Sequence, residues 1–361
     1  MSLFSHLTAR LEKVKGTALR LSIRIPPTSQ RAIARSLGFD YKRFPDLDPH
    51  VQMLLSVRKF ISAANESNRT PETSRIHFRR DMAAIAKPVP VATVKDWEIP
   101  SRSGRLAVRH YTPILHNSAK KSQPLPLLVY FHGGSFIVGD VDTHDDPCRL
   151  FCQYGQMQVL SVSYRLLPEH PSPAGIEDCL DTLKWVYEHT ADLGVDPSKI
   201  AVGGDSAGGN LAAVISQLTV DTDYAPTAQL LIYPSVDLIN DYPSHHAFGE
   251  GLFLSRVDVE IAKEMHLTHS VLPLSDPRVS PMFGNFTGLP PTLIITAEFD
   301  TLRDEGEVYA IKMREAGLHC EAYRVEGQGH GFVSIAAINK AALEATIRIA
   351  EDFRGLLDGL N

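Results

Sequence analysis

The stretch at residues 200–213 constrains this chain most strongly, because it joins a strand to a helix through a corner of small residues. It reads I-A-V-G-G-D-S-A-G-G-N-L-A-A, with Ser206 at the corner. Glycines on both sides let the strand and the helix approach closely, and the corner side chain then projects above the sheet. The G-D-S-A-G sequence at residues 204–208 therefore predicts a reactive serine, although an ordinary glycine-rich turn also fits these five residues alone.

Strand and helix patterns alternate from residue 126 onward. The predicted strands are residues 127–131, 159–164, 200–202, 229–233, 292–296 and 320–325. The predicted helices are residues 175–188, 209–218, 301–316 and 339–357. Such alternation is typical of an α/β fold, in which helices flank both faces of a mostly parallel sheet.

Three further segments complete the predicted organisation. Residues 1–88 have apolar residues at helical spacing, and prolines break this segment into short pieces. Two strands around a turn at 101–105 predict a hairpin at a sheet edge. Residues 240–274 interrupt the alternation of strands and helices just after a strand. An insertion at that point lies over the carboxyl ends of the strands, where ligands bind. We therefore expect an N-terminal helical cap segment at 1–88, a cap insertion at 240–274, and a core domain formed by residues 89–239 and 275–361.

Charge and cysteine content narrow the location and the partners. The formal net charge of −6 gives no general attraction to nucleic acid. No apolar run reaches the roughly 18 to 20 residues that span a bilayer, so we expect no stable membrane insertion. Four scattered cysteines are too few for a disulfide framework and predict reduced thiols in a cytoplasmic protein.

The basic N-terminus and the histidines of the insertion each allow more than one interpretation. Seven Arg and Lys against one acid in the first 35 residues fit a transit peptide, a membrane-surface helix or a basic amphipathic cap helix. We favour the cap helix, because the segment has no signal-peptide core. We expect no metal site, since no carboxylate or cysteine cluster at ligand spacing accompanies His245, His246, His266 and His269.

A serine hydroxyl is a weak nucleophile that needs a base, and an acid to orient that base. His330 follows the last predicted strand within G-Q-G-H-G-F, and is the candidate base. The candidate acids follow the preceding strand: Glu298, Asp300, Asp304 and Glu305. Asp300 lies in the first turn after the strand and is favoured, whereas the dipole of the next helix also accounts for Asp304 and Glu305. The chain order Ser, Asp, His is that of α/β-hydrolases.

Acyl transfer also needs backbone N–H groups directed at the developing oxyanion. One candidate is the amide of Ala207, the residue after the serine. The others lie in H-G-G-S-F at residues 132–136, directly after a predicted strand, where adjacent glycines let amides turn inward. We therefore predict Gly133 and Gly134 as donors, with the Ser135 amide as a possible third, although a plain tight turn would also fit the loop.

Five motifs in this order resemble those of the hormone-sensitive-lipase-like (bacterial family IV) carboxylesterases, in the G-D-S-A-G subgroup. They are H-G-G-S-F at 132–136, S-Y-R-L-L-P-E-H-P-S-P-A at 163–174, G-G-D-S-A-G-G-N-L-A at 203–212, E-F-D-T-L-R-D-E-G at 298–306 and H-G-F at 330–332. The resemblance covers roughly residues 90–355. It implies an eight-stranded α/β-hydrolase sheet, a helical cap built from the N-terminal segment and the insertion, no cofactor, and hydrolysis of short- to medium-chain acyl esters.

The resemblance also assigns roles to single positions. It makes Ser206 the nucleophile, Asp300 the acid and His330 the base, and it places the oxyanion hole at Gly133, Gly134 and Ala207. The sequence departs from the usual family pattern at three places: Ser135 replaces a glycine, Thr301 replaces a proline, and Gln328-Gly329 replace an apolar pair. For Arg165, Glu169 and His170 we favour a structural network beside the oxyanion loop over a second catalytic set.

The sequence thus predicts a serine carboxylesterase that acts on a small-molecule ester. An amidase or a peptidase with the same triad, or a ligand-binding protein with the same fold, are the alternatives. Retention of His330 argues against the binding protein. By resemblance, a homodimer could form through the edge strand near residue 320. Activity should rise with pH through an ionisation near the ordinary histidine value of about 6.5.

Overall fold

One eight-stranded sheet organises the computed structural model, which describes residues 16–62, 70–115 and 123–360. The strands are β1 Thr93–Ser101, β2 Gly104–Thr112, β3 Leu125–Phe131, β4 Gln158–Val162, β5 Val195–Asp205, β6 Ala228–Ile232, β7 Thr292–Phe299 and β8 Cys320–Gly329. Their order across the sheet is β1-β2-β4-β3-β5-β6-β7-β8. Neighbouring strands from β4 to β8 run parallel, so the predicted α/β-hydrolase fold with a mostly parallel sheet is confirmed.

The predicted hairpin forms one edge of this sheet. β1 and β2 pair antiparallel from Thr93 opposite Thr112 to Ser101 opposite Gly104. β2 also pairs antiparallel with β4, and this joins the hairpin to the parallel strands. The hairpin needs only a short turn because antiparallel neighbours can follow each other directly, whereas parallel neighbours need a crossover.

Helices cover both faces of the sheet. They are α1 Pro27–Ser36, α2 Pro49–Ser62, α3 Pro71–Ile85, α4 Asp145–Tyr154, α5 Ala174–Glu188, α6 Thr190–Leu193, α7 Ala207–Thr219, α8 Pro243–Phe248, α9 Arg256–His269, α10 Arg303–Glu315 and α11 Lys340–Asp358. Alternate residues of β3 enter two different cores: Val129 packs with α5, α7 and α10, while Tyr130 packs with α4 and α11. Every residue of β3 is buried, as its continuous apolar sequence requires.

The N-terminal segment and the insertion pack against each other beside the end of β7. Phe44 and Leu47, together with residues of α2, share a buried cluster with Leu252 of the insertion and Phe299 of β7. The insertion contains α8 and α9 and no strand within its described residues. Residues 16–22 are also helical, whereas the part of the predicted helical segment that precedes residue 16 lies outside the described residues.

Two properties of the described residues concern membranes and metals. None of their helices is both long and apolar enough to cross a bilayer. Their histidines, cysteines and carboxylates do not gather anywhere into a group of three that could hold a metal ion. The four cysteines are buried free thiols.

Candidate active site

Ser206 stands at the sharp corner between β5 and α7. Its backbone has φ 55° and ψ −118°, a conformation that L-residues rarely adopt. A side chain at Gly204 or Gly208 would overlap the backbone oxygen of Phe131, so both positions require glycine for the close approach of strand and helix. The Ser206 amide donates to the Ile232 carbonyl at 2.9 Å, which fixes the corner to the neighbouring strand.

A hydrogen-bonded line connects Ser206 to the predicted base and acid. His330 Nε2 lies 2.9 Å from Ser206 Oγ, and His330 Nδ1 lies 2.8 Å from Asp300 Oδ2. Asp300 is fully buried, and its second oxygen accepts the Leu302 amide at 2.9 Å. Both side chains follow the ends of parallel strands, β7 and β8, and therefore reach the same edge of the sheet as Ser206.

The other candidate carboxylates have different partners. Glu298 accepts the Gly327 amide at 2.7 Å, Asp304 accepts the Ser244 amide at 2.8 Å, and Glu305 accepts the Val236 amide at 2.7 Å. Of the four carboxylates, Asp300 is therefore the one that hydrogen-bonds the imidazole of His330.

The surroundings of His330 change its basicity. Burial alone lowers the pKa of His330, but the charge of Asp300 and the hydrogen bond to it raise the pKa, and Asp205 and Glu305 act in the same direction. The net effect is a pKa above the ordinary histidine value. The sequence placed this ionisation near the unperturbed value of about 6.5, because the field of buried carboxylates depends on the folded arrangement.

The loop after β3 turns its backbone through three consecutive residues with positive φ. The values are 120° at Gly134, 56° at Ser135 and 63° at Phe136. Within the described part of the chain, the amides of Gly134, Ser135 and Ala207 have no hydrogen-bond acceptor. Two of these N–H groups lie in the loop that follows β3, and the third lies at the Ser206 corner.

The sequence predicts that the Gly133 amide faces the oxyanion, but in the structure this amide has a protein acceptor. It donates to Asp205 Oδ1 at 2.9 Å. The same oxygen accepts the Tyr130 hydroxyl at 2.7 Å and lies 3.5 Å from His144 Nε2. Gly133 therefore ties the loop to the serine corner, and its N–H is occupied in this structure.

Asp205 is a site residue that the sequence reasoning missed. Burial acts to raise the pKa of Asp205, but His144, Tyr130 and the Gly133 amide hold that pKa at about 2. The carboxylate is therefore charged, buried and surrounded by donors. The sequence does place an acidic residue at the end of an apolar strand. Because a buried charge requires partners, that position could have indicated a role for Asp205 in the site.

Arg165 and Glu169 each have a structural partner beside the loop, and one of these partners comes from the N-terminal segment. Arg165 pairs with Asp178 through contacts of 2.9 to 3.0 Å. Glu169 pairs instead with Arg75 of α3 at 2.6 and 2.9 Å. The same guanidinium donates to the carbonyls of Ile137 and Leu167 at 2.7 and 2.6 Å, so the N-terminal segment braces the loop after β3.

The insertion is attached to the turn that carries Asp300. The Thr301 hydroxyl donates to the Leu254 carbonyl at 2.9 Å, and the Ser244 hydroxyl donates to the Thr301 carbonyl at 2.8 Å. Thr301 and Ser244 are both buried. A proline at position 301 would keep the carbonyl that accepts from Ser244 but would have no hydroxyl, so only the contact with Leu254 depends on the threonine that departs from the family pattern.

Comparison with known proteins agrees with this geometry. A family model described as alpha/beta hydrolase fold matches residues 128–334. The carboxylic ester hydrolase LipN of Mycobacterium tuberculosis is 35% identical and the match covers 98% of this chain and 95% of that protein. An ethyl acetate hydrolase of Pseudomonas putida is 31% identical, with 85% and 97% covered.

A solved structure extends the similarity to three dimensions. The hyperthermophilic esterase of Pyrobaculum calidifontis superposes with a TM-score of 0.77 at 35% identity, over 84% of this chain and 97% of that one. The sequence matches and the shared fold lead to one conclusion. The chain belongs to the hormone-sensitive-lipase-like carboxylesterases of the α/β-hydrolase superfamily.

Proposed function

We propose that this carboxylesterase uses Ser206 as nucleophile, His330 as general base and Asp300 as the acid that orients the base. The observation that carries the proposal is the unbroken line of hydrogen bonds, 2.9 Å from Ser206 Oγ to His330 and 2.8 Å from His330 to Asp300. Asp300 fixes the imidazole with Nδ1–H toward the carboxylate, which leaves the Nε2 lone pair for the serine proton.

The reaction then proceeds in two acyl transfers. Ser206 Oγ attacks the ester carbonyl carbon while its proton moves to His330 Nε2. The tetrahedral intermediate collapses, and the alcohol leaves with the proton held by His330. Water next attacks the acyl-enzyme, again losing its proton to His330, and the carboxylic acid is released as Ser206 recovers its proton.

We assign the oxyanion hole to the amides of Gly134, Ser135 and Ala207. This assignment is supported because the three N–H groups have no acceptor among the described residues, whereas the Gly133 N–H donates to Asp205. Gly133 keeps a role in this proposal, because its hydrogen bond positions the loop that carries the donors. Loss of one such donor typically lowers kcat by roughly 10²- to 10³-fold.

We further propose that the substrates are esters of short to medium acyl chains. The relative named an ethyl acetate hydrolase supports this size range. The cap would consist of residues 1–88 and 240–274, and core residues 89–239 and 275–361 would carry the triad. Packing of Phe44 against Leu252 supports a joint cap.

Assembly and location are also proposals. A homodimer through β8 is supported by the position of β8 as the last strand of the sheet order, with one side unpaired within the described sheet. A cytoplasmic location is supported by the four free cysteines, since reduced thiols are typical of that compartment.

The test compares the purified protein with Ser206→Ala on a panel of 4-nitrophenyl esters from acetate to dodecanoate, with 4-nitrobutyranilide as the amide. We expect the highest kcat/KM at or below about ten carbons, slow or absent anilide cleavage, and loss of activity in Ser206→Ala. A greater kcat/KM on the anilide would make the protein an amidase. Full activity in Ser206→Ala would contradict the assigned nucleophile.

A further inference from the structure

A small cavity lies beside the loop after β3. Its volume is about 30 Å³, and its wall includes Phe136 from the loop and Asn210 and Leu211 from α7. Phe136 directly follows Ser135, and Asn210 lies one helical turn, about 5.4 Å, after Ser206. The cavity wall is therefore formed in part by the same loop and the same helix that carry the proposed oxyanion donors. The cavity volume exceeds the roughly 10 to 15 Å³ that one water needs, so the cavity admits a group of the size of a hydroxyl.

Four polar side chains of the cavity wall already have partners. The Tyr164 hydroxyl donates to the His132 carbonyl, Asn210 Nδ2 donates to the carbonyls of Ser235 and Val279, Arg165 pairs with Asp178, and Arg278 pairs with Asp276. Much of the remaining wall is apolar, as at Ile176 and Leu211. The donors of these four side chains are thus directed at protein acceptors.

His266 of α9 differs from these wall residues. Its side chain lines the cavity, the residue is 5% exposed, and Nε2 has no hydrogen-bond partner among the described residues. Burial, the largest influence, lowers the pKa of His266, and the Leu272 backbone hydrogen-bonds the imidazole. The imidazole is therefore neutral at pH 7, and its Nε2 is left to bond a group that enters the cavity.

We propose that His266 Nε2 accepts a hydrogen bond from a substrate hydroxyl, so that the enzyme favours short esters bearing a hydroxyl group over plain alkyl esters of equal size. This inference rests on the proposed esterase function. A hydroxyl supplies the missing donor, and its carbon chain suits the apolar wall.

The experiment measures kcat/KM for two matched pairs of esters. 4-Nitrophenyl butanoate and 4-nitrophenyl 3-hydroxybutanoate differ in the acyl arm, and propyl acetate and 2-hydroxyethyl acetate differ in the alcohol arm. In the wild type we expect the hydroxylated member of one pair to be favoured by about tenfold, the factor typical of one hydrogen bond. The pair that responds identifies the arm that enters the cavity.

His266→Leu should bring that ratio to about one, and His266→Gln should retain part of the ratio through its amide oxygen. His269→Leu, at an exposed histidine of the same helix, is the matched control and should leave the ratio unchanged. Wild-type ratios near one in both pairs, or a ratio unchanged in folded His266→Leu, would overturn the inference. Turnover of the plain esters separates this failure from a failure of the proposed function, which would abolish hydrolysis of all four esters.

Discussion

Replacement of Asp205 by asparagine tests how a buried charge beneath the serine supports the site. The amide oxygen of Asn can still accept the Gly133 amide and the Tyr130 hydroxyl, since both bond the same carboxylate oxygen. Asp205→Asn therefore removes the charge and keeps the shape. Asp205→Ala removes both acceptors and leaves two buried donors without partners.

The pKa of Asp205 gives the size of the expected effect. A fall from 3.8 to about 2 on folding corresponds to roughly 2 kcal/mol of stabilisation at neutral pH. Because the folded pKa is the lower one, this stabilisation is present above about pH 4 and is lost as the pH falls toward about 2. Asp205→Ala should lose more, roughly 2 to 6 kcal/mol, because it leaves two buried donors unsatisfied and each costs about 1 to 3 kcal/mol.

Urea unfolding of the wild type and both variants between pH 7 and pH 3 measures these differences. At pH 7 we expect Asp205→Asn to be less stable than the wild type and Asp205→Ala to be the least stable, with the gap between wild type and Asp205→Asn narrowing below pH 4. Activity should separate the variants too: Asp205→Asn should keep most of kcat, whereas Asp205→Ala should lose at least about tenfold as the loop loosens. Equal stability of wild type and Asp205→Asn at pH 7 would refute the reasoning.

Three further predictions follow from neighbouring residues. Ser135→Gly should raise the free energy of unfolding by about 1 kcal/mol, because glycine adopts a φ of 56° without strain; a loss of stability in urea would contradict this. The kcat/KM of the wild type should rise with pH through an ionisation above 6.5, because Asp300 raises the pKa of His330. In Asp300→Asn, the pH profile of the remaining activity should move to lower pH. A midpoint at or below pH 6.5 in the wild type would contradict this prediction. Thr301→Val should cost about 1 to 3 kcal/mol of stability by leaving the Leu254 carbonyl unpaired, while Thr301→Ser should lose less; equal losses in urea would show that the hydroxyl is not responsible.

The fold and the side chains that meet beside Ser206 could be predicted from the sequence because their signals are local. Ser206, Asp300 and His330 each follow a short apolar strand, and the carboxyl ends of parallel strands meet at one edge of the sheet. The need for glycine at positions 204 and 208 could also be predicted, and the structure gives the reason: a side chain there would overlap the backbone of β3. A pattern of a few residues was enough for each of these conclusions.

The parts that the sequence could not provide depend on contacts between distant segments. Gly133 lies 72 residues from Asp205, so nothing near H-G-G-S indicates that its amide is occupied. Arg75 reaches Glu169 across 94 residues, from a helix outside the family motifs. The basicity of His330 likewise depends on buried carboxylates from several elements, whose net effect cannot be worked out before their positions are known.

The central claim is that Ser206 is activated by His330 in a hydrogen-bonded triad. A fluorophosphonate reacts covalently with such a serine, and peptide mass mapping after labelling at pH 7.5 locates the adduct. We predict one adduct per chain at Ser206, formed far more slowly in His330→Ala although that variant keeps the serine. An adduct at another residue, or an equal labelling rate in His330→Ala, would contradict the account.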